Sequence, residues 1–413
     1  MSWNVRQFVI GAVLFFLAGG VMANEWVYIG GYTTEANEAM KKIGAETSQG
    51  INVADYDAHT GELSNLRPAA KIDSPNFFSL SPNRDVLYTC CGGEENLAAF
   101  KIDSKTGDLT LINRAANGSV GCCHVEVSPD GKWIVSANYT GGDFSINRIN
   151  ADGSLGEITE CIQKPGTGPD VKRQQAPFGH AGYFVPDGDN LRLLLVDLGT
   201  DRVHVMRFDS ENGTASDDPD IPTLFLPAGA GCRHLAWTKI ADSTFDVFVN
   251  NELDSTVSFF TLEFGKGSDG LTYWGTWLTV PEVFRGKVSW DQSLVDADEN
   301  YTLMNSTAET VCRRAVGDFP PVIYVSNRGH NSIAVFQIVE KNGIRALKPI
   351  QYAATGGDAP RFFMLDKEQK HAIVANKRTG TVRTFTLADD GTFAPTGFEP
   401  VKIGWPCALA ILP

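Results

Sequence analysis

Basic and titratable side chains recur in this chain at intervals of roughly 50 residues, each beside a short apolar segment. His124, His180, Arg233, His234, Glu309 and Arg361 begin such segments, and Asn138, Asp197, Glu252, Arg328 and Asn376 end them. Planar guanidinium forks suit a carboxylate or a phosphate, and histidine or glutamate can move a proton. Gathered in one place, these residues would hold an anion and perform acid–base chemistry. Arg233, Arg328 and Arg361 could instead pair with Glu252 and Glu309 in a structural network. Asp197, in VDLGTDRV, reads as a residue that fixes the following turn through backbone N–H groups.

Cys122-Cys123-His124 and Cys232-Arg233-His234 invite a metal reading. Adjacent strand residues point to opposite faces, and neither run has the spacing of a zinc site, so no metal is expected. The chain has no Gly-x-Ser-x-Gly elbow at a strand–helix turn and no Gly-Lys-Ser/Thr phosphate loop, which leaves a serine-hydrolase or nucleotide site without support.

A repeat must position the candidate residues. It consists of an apolar strand, a turn, a second apolar strand ending in a polar residue, a Gly or Ser turn and a third alternating strand. Copies begin at Phe77, Val125, Tyr183, Phe248, Tyr324 and Phe363; the one from Val125 reads VEVSPDGKWIVSANYTGGDFSINRINADGSL. The second strands end at Cys91, Asn138, Asp197, Asn251, Asn327 and Asn376. A period near 50 residues with three or four strands marks β-propeller blades, and no stretch shows sustained helical periodicity. WVYIGGYT from Trp26 fits a second strand without a first, and CALAILP from Cys407 fits a first strand without a second. Joined, they make a seventh blade and close the ring without a long unpaired edge. The expected fold is therefore all-β, a seven-bladed propeller spanning residues 24–413 as one domain. The long interval before Asn327 implies an insertion from about Gly265 to Ser306, a candidate lid. First and second strands are antiparallel, so the candidate residues should share one rim of the central channel.

Composition agrees. Of 413 residues 43% are hydrophobic and 20% charged, which supports a large core and rules out general disorder. The 41 glycines suit many tight turns. A net charge of −14 argues against a nucleic-acid partner but leaves room for a small anion held by local cations. Arg6, the apolar run Phe8–Gly20 and Val21-Met22-Ala23 form a secretory signal pattern over residues 1–23, too short to span a membrane. The mature chain is thus expected to be secreted or extracytoplasmic, with no membrane partner once the signal is cleaved. Sequons at Asn117, Asn138, Asn212, Asn300 and Asn305 fit export weakly. The eight cysteines permit disulfides, and a bridge between the Cys90-Cys91 and Cys122-Cys123 pairs would link neighbouring blades on one rim.

At these residues the chain resembles a known family. YIGGYT, GAGCRHLAW, NNELDSTVSFF, YVSNRGHNSIAVF, GGDAPRFFML and ADGSLGE resemble motifs of the lactonase and cycloisomerase propellers, which include bacterial-type 6-phosphogluconolactonases and fungal 3-carboxy-cis,cis-muconate lactonising enzymes. The likeness runs from Trp26 to the C-terminus and reaches every blade. It implies a seven-bladed propeller whose mouth uses His180, Arg233, Glu252 and Arg328 on a lactone or its open acid. Two positions depart from the family pattern: Cys232 replaces a proline, and KIADSTFDVFV lacks a Pro-Asp-Gly turn.

Lactone hydrolysis needs a base for the attacking water and cations for the developing oxyanion. His180 or Glu252 would be the base, and Arg233 and Arg328 would bind the substrate anion and stabilise the oxyanion. Arg361, His234, His124, Glu309 and Asn138 would bind substrate. The expectation is a monomeric lactonase with a small anionic substrate and no cofactor. A muconate-type cycloisomerase or a non-catalytic ligand-binding propeller would use the same mouth. Export disfavours a phosphorylated sugar, a cytosolic metabolite, and points to an unphosphorylated lactone.

Overall fold

A computed structural model of the chain describes residues 25–33, 48–221, 223–284 and 305–412. The signal pattern and the sequon at Asn300 lie outside them. Seven antiparallel sheets follow one another around a ring. Six are built from consecutive strands, with innermost strands Phe77–Leu80, Cys122–Val127, Gly179–Asp187, Cys232–Ala241, Ser306–Arg313 and Pro360–Leu365. These are blades 2 to 7. Blade 1 joins the chain ends: Pro406–Leu412 is its innermost strand and pairs with Glu25–Gly31, in the register Tyr28 to Ala410. The termini therefore close the ring as expected. Among the described residues no helix is long and apolar enough to cross a membrane.

Strand periodicity explains how such a ring packs. A strand inside a blade shows alternate side chains to the blades on either side. Along Val86–Cys90, the residues Val86, Tyr88 and Cys90 pack toward blade 3, whereas Leu87 packs toward blade 1. Second strands are consequently apolar on both faces, and one hydrophobic cluster fills each of the seven blade interfaces. A recurring latch supplements them. Tyr28, Tyr88 and Tyr324 each donate a hydroxyl hydrogen bond to a turn carbonyl of the next blade, at Gly107, Gly153 and Gly391 (3.0, 2.9 and 2.9 Å). Gly153 and Gly391 have φ of 83° and 89°, and a Cβ on Gly391 would lie 2.9 Å from the Tyr324 hydroxyl. Glycine is needed at this joint both for the left-handed turn and for the close approach.

Two expectations are corrected. Leu271–Leu278 is the fourth strand of blade 5, so that part of the supposed insertion is blade; an extra residue at Trp274 bulges it out of plain alternation. The stretch 285–304 lies outside the described residues. Three sequons are structural: Asn117 and Asn138 are fully buried and Asn305 is 4% exposed, each with its amide hydrogen-bonded inside the ring. Asn212 is exposed.

Candidate functional site

One irregularity, repeated from blade to blade, builds the channel mouth. Near its start, the innermost strand of most blades carries an extra residue opposite the end of the second strand. In blade 3 Cys122 pairs with Asn138 and His124 with Ala137, leaving Cys123 bulged. By the same register the bulged residue is His180 in blade 4, Arg233 in blade 5, Arg361 in blade 7 and Cys407 in blade 1. A β-bulge re-aims the side chain it carries. A second row of residues directly follows Gly31, Asn138, Asn251, Asn327 and Asn376 at the ends of second strands: Tyr32, Tyr139, Glu252, Arg328 and Lys377. These two rows form the mouth. The next residue inward on the innermost strands forms a deeper layer containing Phe77, His124, His234, Glu309 and Phe362.

Glu252 is the centre of the mouth. It is 3% exposed and lies against three guanidinium groups: Arg233 Nε and Arg328 Nη2 reach Oε2 at 2.9 Å each, and Arg173 Nη2 donates to Oε1 at 2.8 Å. Burial alone would raise its pKa, but Arg328, Arg173 and Arg233 outweigh it and hold the carboxyl well below its ordinary range. Glu252 is thus a firm anion and a weak base. Further hydrogen bonds run from Arg233 to the Ala308 carbonyl and from Arg328 Nη2 to the Thr307 carbonyl (2.7 Å). Burial lowers both arginines, Arg328 to about 10. Arg173, absent from the sequence reading, comes from the loop between blades 3 and 4 and also donates to the Tyr139 hydroxyl (3.1 Å). Fully buried Gln174 pins that loop, donating to the Leu198 carbonyl (2.9 Å) and Asp201 (2.7 Å).

His180 faces this cluster. Its Nε2 lies 4.0 Å from Glu252 Oε2, its Nδ1 3.9 Å from Cys123 Sγ, and its ring 5.5 Å from that of Tyr139. Burial, then Arg233 and His234, push its pKa well below the ordinary value, so the imidazole is neutral.

Other expected site residues lie elsewhere. His124, His234 and Glu309 belong to the deeper layer, not the rim, because the bulge shifts each by one position. His234 Nδ1 is 2.9 Å from Glu309 Oε2, and Phe77 packs on both His124 and His234 (4.2 and 5.6 Å). Together they plug the channel. On their far side, His124 and Glu309 line a cavity of about 600 Å³ shared with the Asp366–Gln369 region of the opposite face. Burial raises Glu309 to about 8. Asn138 is committed within its blade: it accepts from Asn117 Nδ2 (2.6 Å) and donates to Asp143 and Ser145 (2.7 and 3.1 Å). Asp197 accepts from the Phe178 and Gly199 N–H groups (2.8 and 2.9 Å), the turn-fixing role expected of it. The cysteines are thiols. Cys90 and Cys122 bring their sulfurs to 3.0 Å across the blade 2–3 interface, while Cys91 turns toward Arg114.

Arg361 is the fourth arginine of the mouth. It makes no hydrogen bond or ion pair among the described residues and stands 5.7 Å from the Tyr32 ring centroid. Lys377, also missed from sequence, has Nζ 4.6 Å from the rings of both Tyr32 and Trp405. Keeping strictly to the residue after each second strand's closing asparagine would have found Tyr139 and Lys377 alongside Glu252 and Arg328.

Comparison with known proteins adds an independent line. The chain is 27% identical over 344 residues to a 6-phosphogluconolactonase of Bacillus subtilis, covering 82% of this chain and 87% of that one. A crystal structure of a protein from Lactobacillus plantarum matches with a TM-score of 0.75 at 26% identity, over 94% of this chain and all of that one. The periplasmic gluconolactonase of Pseudomonas aeruginosa has a TM-score of 0.75 over 94% of this chain and 99% of its own, at 21% identity, a likeness of fold. Residues 26–409 match the family described as Lactonase, 7-bladed beta-propeller. With seven sheets closed by the chain ends and a match through every blade, this chain belongs to the seven-bladed lactonase propeller family.

Proposed function

We propose that the protein hydrolyses the lactone of a sugar acid at the channel mouth. One observation carries this reading: a neutral, buried imidazole stands 4.0 Å from a carboxylate that three arginines hold ionised. Neutral His180 takes a proton from water as it attacks the lactone carbonyl. The resulting imidazolium is stabilised by Glu252, which remains ionised and does not itself accept the proton. Arg233 and Arg328 supply donors for the oxyanion of the tetrahedral intermediate. Their partial engagement by Glu252 fixes the guanidinium planes before substrate arrives, so little reorganisation accompanies charge development. Collapse of the intermediate breaks the ring C–O bond, and His180 returns its proton to the leaving alkoxide. The product is the open hydroxy acid.

The family membership and the name of the Bacillus subtilis relative support lactone hydrolysis over the cycloisomerase and pure binding alternatives. Acid release from sugar lactones, followed in a pH-stat against spontaneous hydrolysis, tests the proposal. A folded protein that gives no rate above background rejects it.

A further inference from the structure

The mouth has two unlike halves. Blades 3 to 6 supply Tyr139, His180, Arg233, Glu252 and Arg328, where the guanidinium groups converge on one carboxylate. Blades 7 and 1 supply Arg361, Lys377, Tyr32 and Trp405, and there two cations face no carboxylate among the described residues. Arg361 and Lys377 are both partly exposed, so a ligand in the mouth can reach them. Lys377 Nζ lies 4.6 Å from two aromatic rings, a setting that screens it from water. The Trp405 indole N–H, on a residue 5% exposed, has no hydrogen-bond partner among the described residues. It is held there by a backbone with φ of 48°, a conformation that disfavours a bulky residue.

The remaining neighbours do not neutralise the pair. Burial raises the Tyr32 phenol and the Cys407 and Cys123 thiols, the thiols to about 11 and 12, so all three stay uncharged. Glu252 is already shared by three guanidinium groups. Arg378 pairs with Asp358 at 3.7 Å, and Arg328 belongs to the Glu252 cluster. Burial and then Arg361 push the Lys377 amine well below its ordinary value. Two cations and a free indole donor, in a chain of net charge −14, form a built anion site.

We propose that Arg361, Lys377 and Trp405 bind a phosphate or carboxylate carried by the lactone remote from its reacting carbonyl, and that Lys377 makes the enzyme select acidic lactones over neutral ones. This rests on the lactonase reading and deepens it: the ligand spans the mouth, its ring toward His180 and its anionic end toward blades 7 and 1. A phosphorylated lactone and a lactone with a second carboxylate share this chemistry.

Kinetics of the full chain and of Lys377→Met, which keeps the length of the side chain, on glucono-δ-lactone, 6-phosphogluconolactone and glucaro-1,4-lactone provide the test. The ratio of kcat/KM for the acidic lactones to that for glucono-δ-lactone should fall at least tenfold in the variant, mainly through KM. Whichever acidic lactone loses most identifies the anion. An unchanged ratio overturns the proposal. Calorimetric titration with 6-phosphogluconate and with glucarate reads the site without turnover. Wild-type binding of at least one should be measurable, and Lys377→Met should weaken that binding at least tenfold. Equal binding by both proteins, or none by wild type, also overturns the proposal. Binding without hydrolysis of any lactone would reject the lactonase reading and leave the anion site standing.

Discussion

Glu252→Gln separates the electrostatic role assigned to Glu252 from a role as base. The substitution keeps side-chain volume and a carbonyl acceptor but removes the charge 4.0 Å from His180 Nε2. Two unit charges at that distance, with an effective dielectric constant near 20, interact by about 4 kcal/mol. If this energy stabilises the imidazolium as it forms, turnover should fall about 10³-fold. The acid limb of the pH–rate profile should also move to lower pH, because an imidazolium without its counter-charge loses its proton more readily. Removing one partner of a buried ion cluster costs about 3–5 kcal/mol, so the urea midpoint should drop while the native spectrum persists. Stopped pH-indicator assays on the folded variant give turnover, and urea titration gives stability. A Glu252→Gln protein that unfolds earlier yet turns over within about threefold of wild type would make the carboxylate merely structural. An acid limb that moves upward would refute the electrostatic argument.

Other consequences follow from the fold. Deleting residues 407–413 removes the innermost strand of blade 1, whose Ala408 and Ala410 pack toward blade 2 and Leu409 and Ile411 toward blade 7; size-exclusion chromatography should show aggregates, and an unchanged melting transition would contradict closure by the termini. Cys90 and Cys122 should be the pair that closes when a disulfide donor is supplied, so thiol counting on the unfolded, unreduced protein should fall from eight to six. That crosslink should add on the order of 3 kcal/mol, and a bridge involving Cys91 or Cys123 instead would show the interface to be misdescribed. Glu309 keeps its proton to about pH 8 in the fold but ionises at ordinary carboxyl values when unfolded. Its contribution is therefore complete below the unfolded value and is lost as pH rises toward 8; Glu309→Gln should flatten the fall in stability between pH 6 and 8 by up to about 1.4 kcal/mol per unit, and an identical slope would refute the shift.

The ring was legible because its physics is local and repeated. Doubly apolar second strands, turn glycines and two half-blades at the chain ends suffice to count seven sheets. His180, Arg233, Glu252 and Arg328 were legible because each sits at a fixed place in a blade. What misled was the bulge. Strict alternation cannot anticipate an extra residue, so His124 and Glu309 were placed on the rim while Cys123, the true counterpart of His180 and Arg233, was passed over. Arg173 could not be found from the repeat at all, since it reaches Glu252 from an inter-blade loop. Asn138 looked like a rim residue because its backbone is at the rim, although its amide turns into the blade.

The central claim is that neutral His180, supported by Glu252, activates water against a lactone. Its most direct test is pH-stat hydrolysis of glucono-δ-lactone, 6-phosphogluconolactone and glucaro-1,4-lactone by wild-type protein and by His180→Asn, both shown to be folded. The mechanism predicts wild-type acid release well above the spontaneous rate for at least one lactone, and a loss of about 10²–10⁴-fold in turnover in the variant. Absence of wild-type hydrolysis on every lactone, or undiminished turnover by His180→Asn, would contradict it.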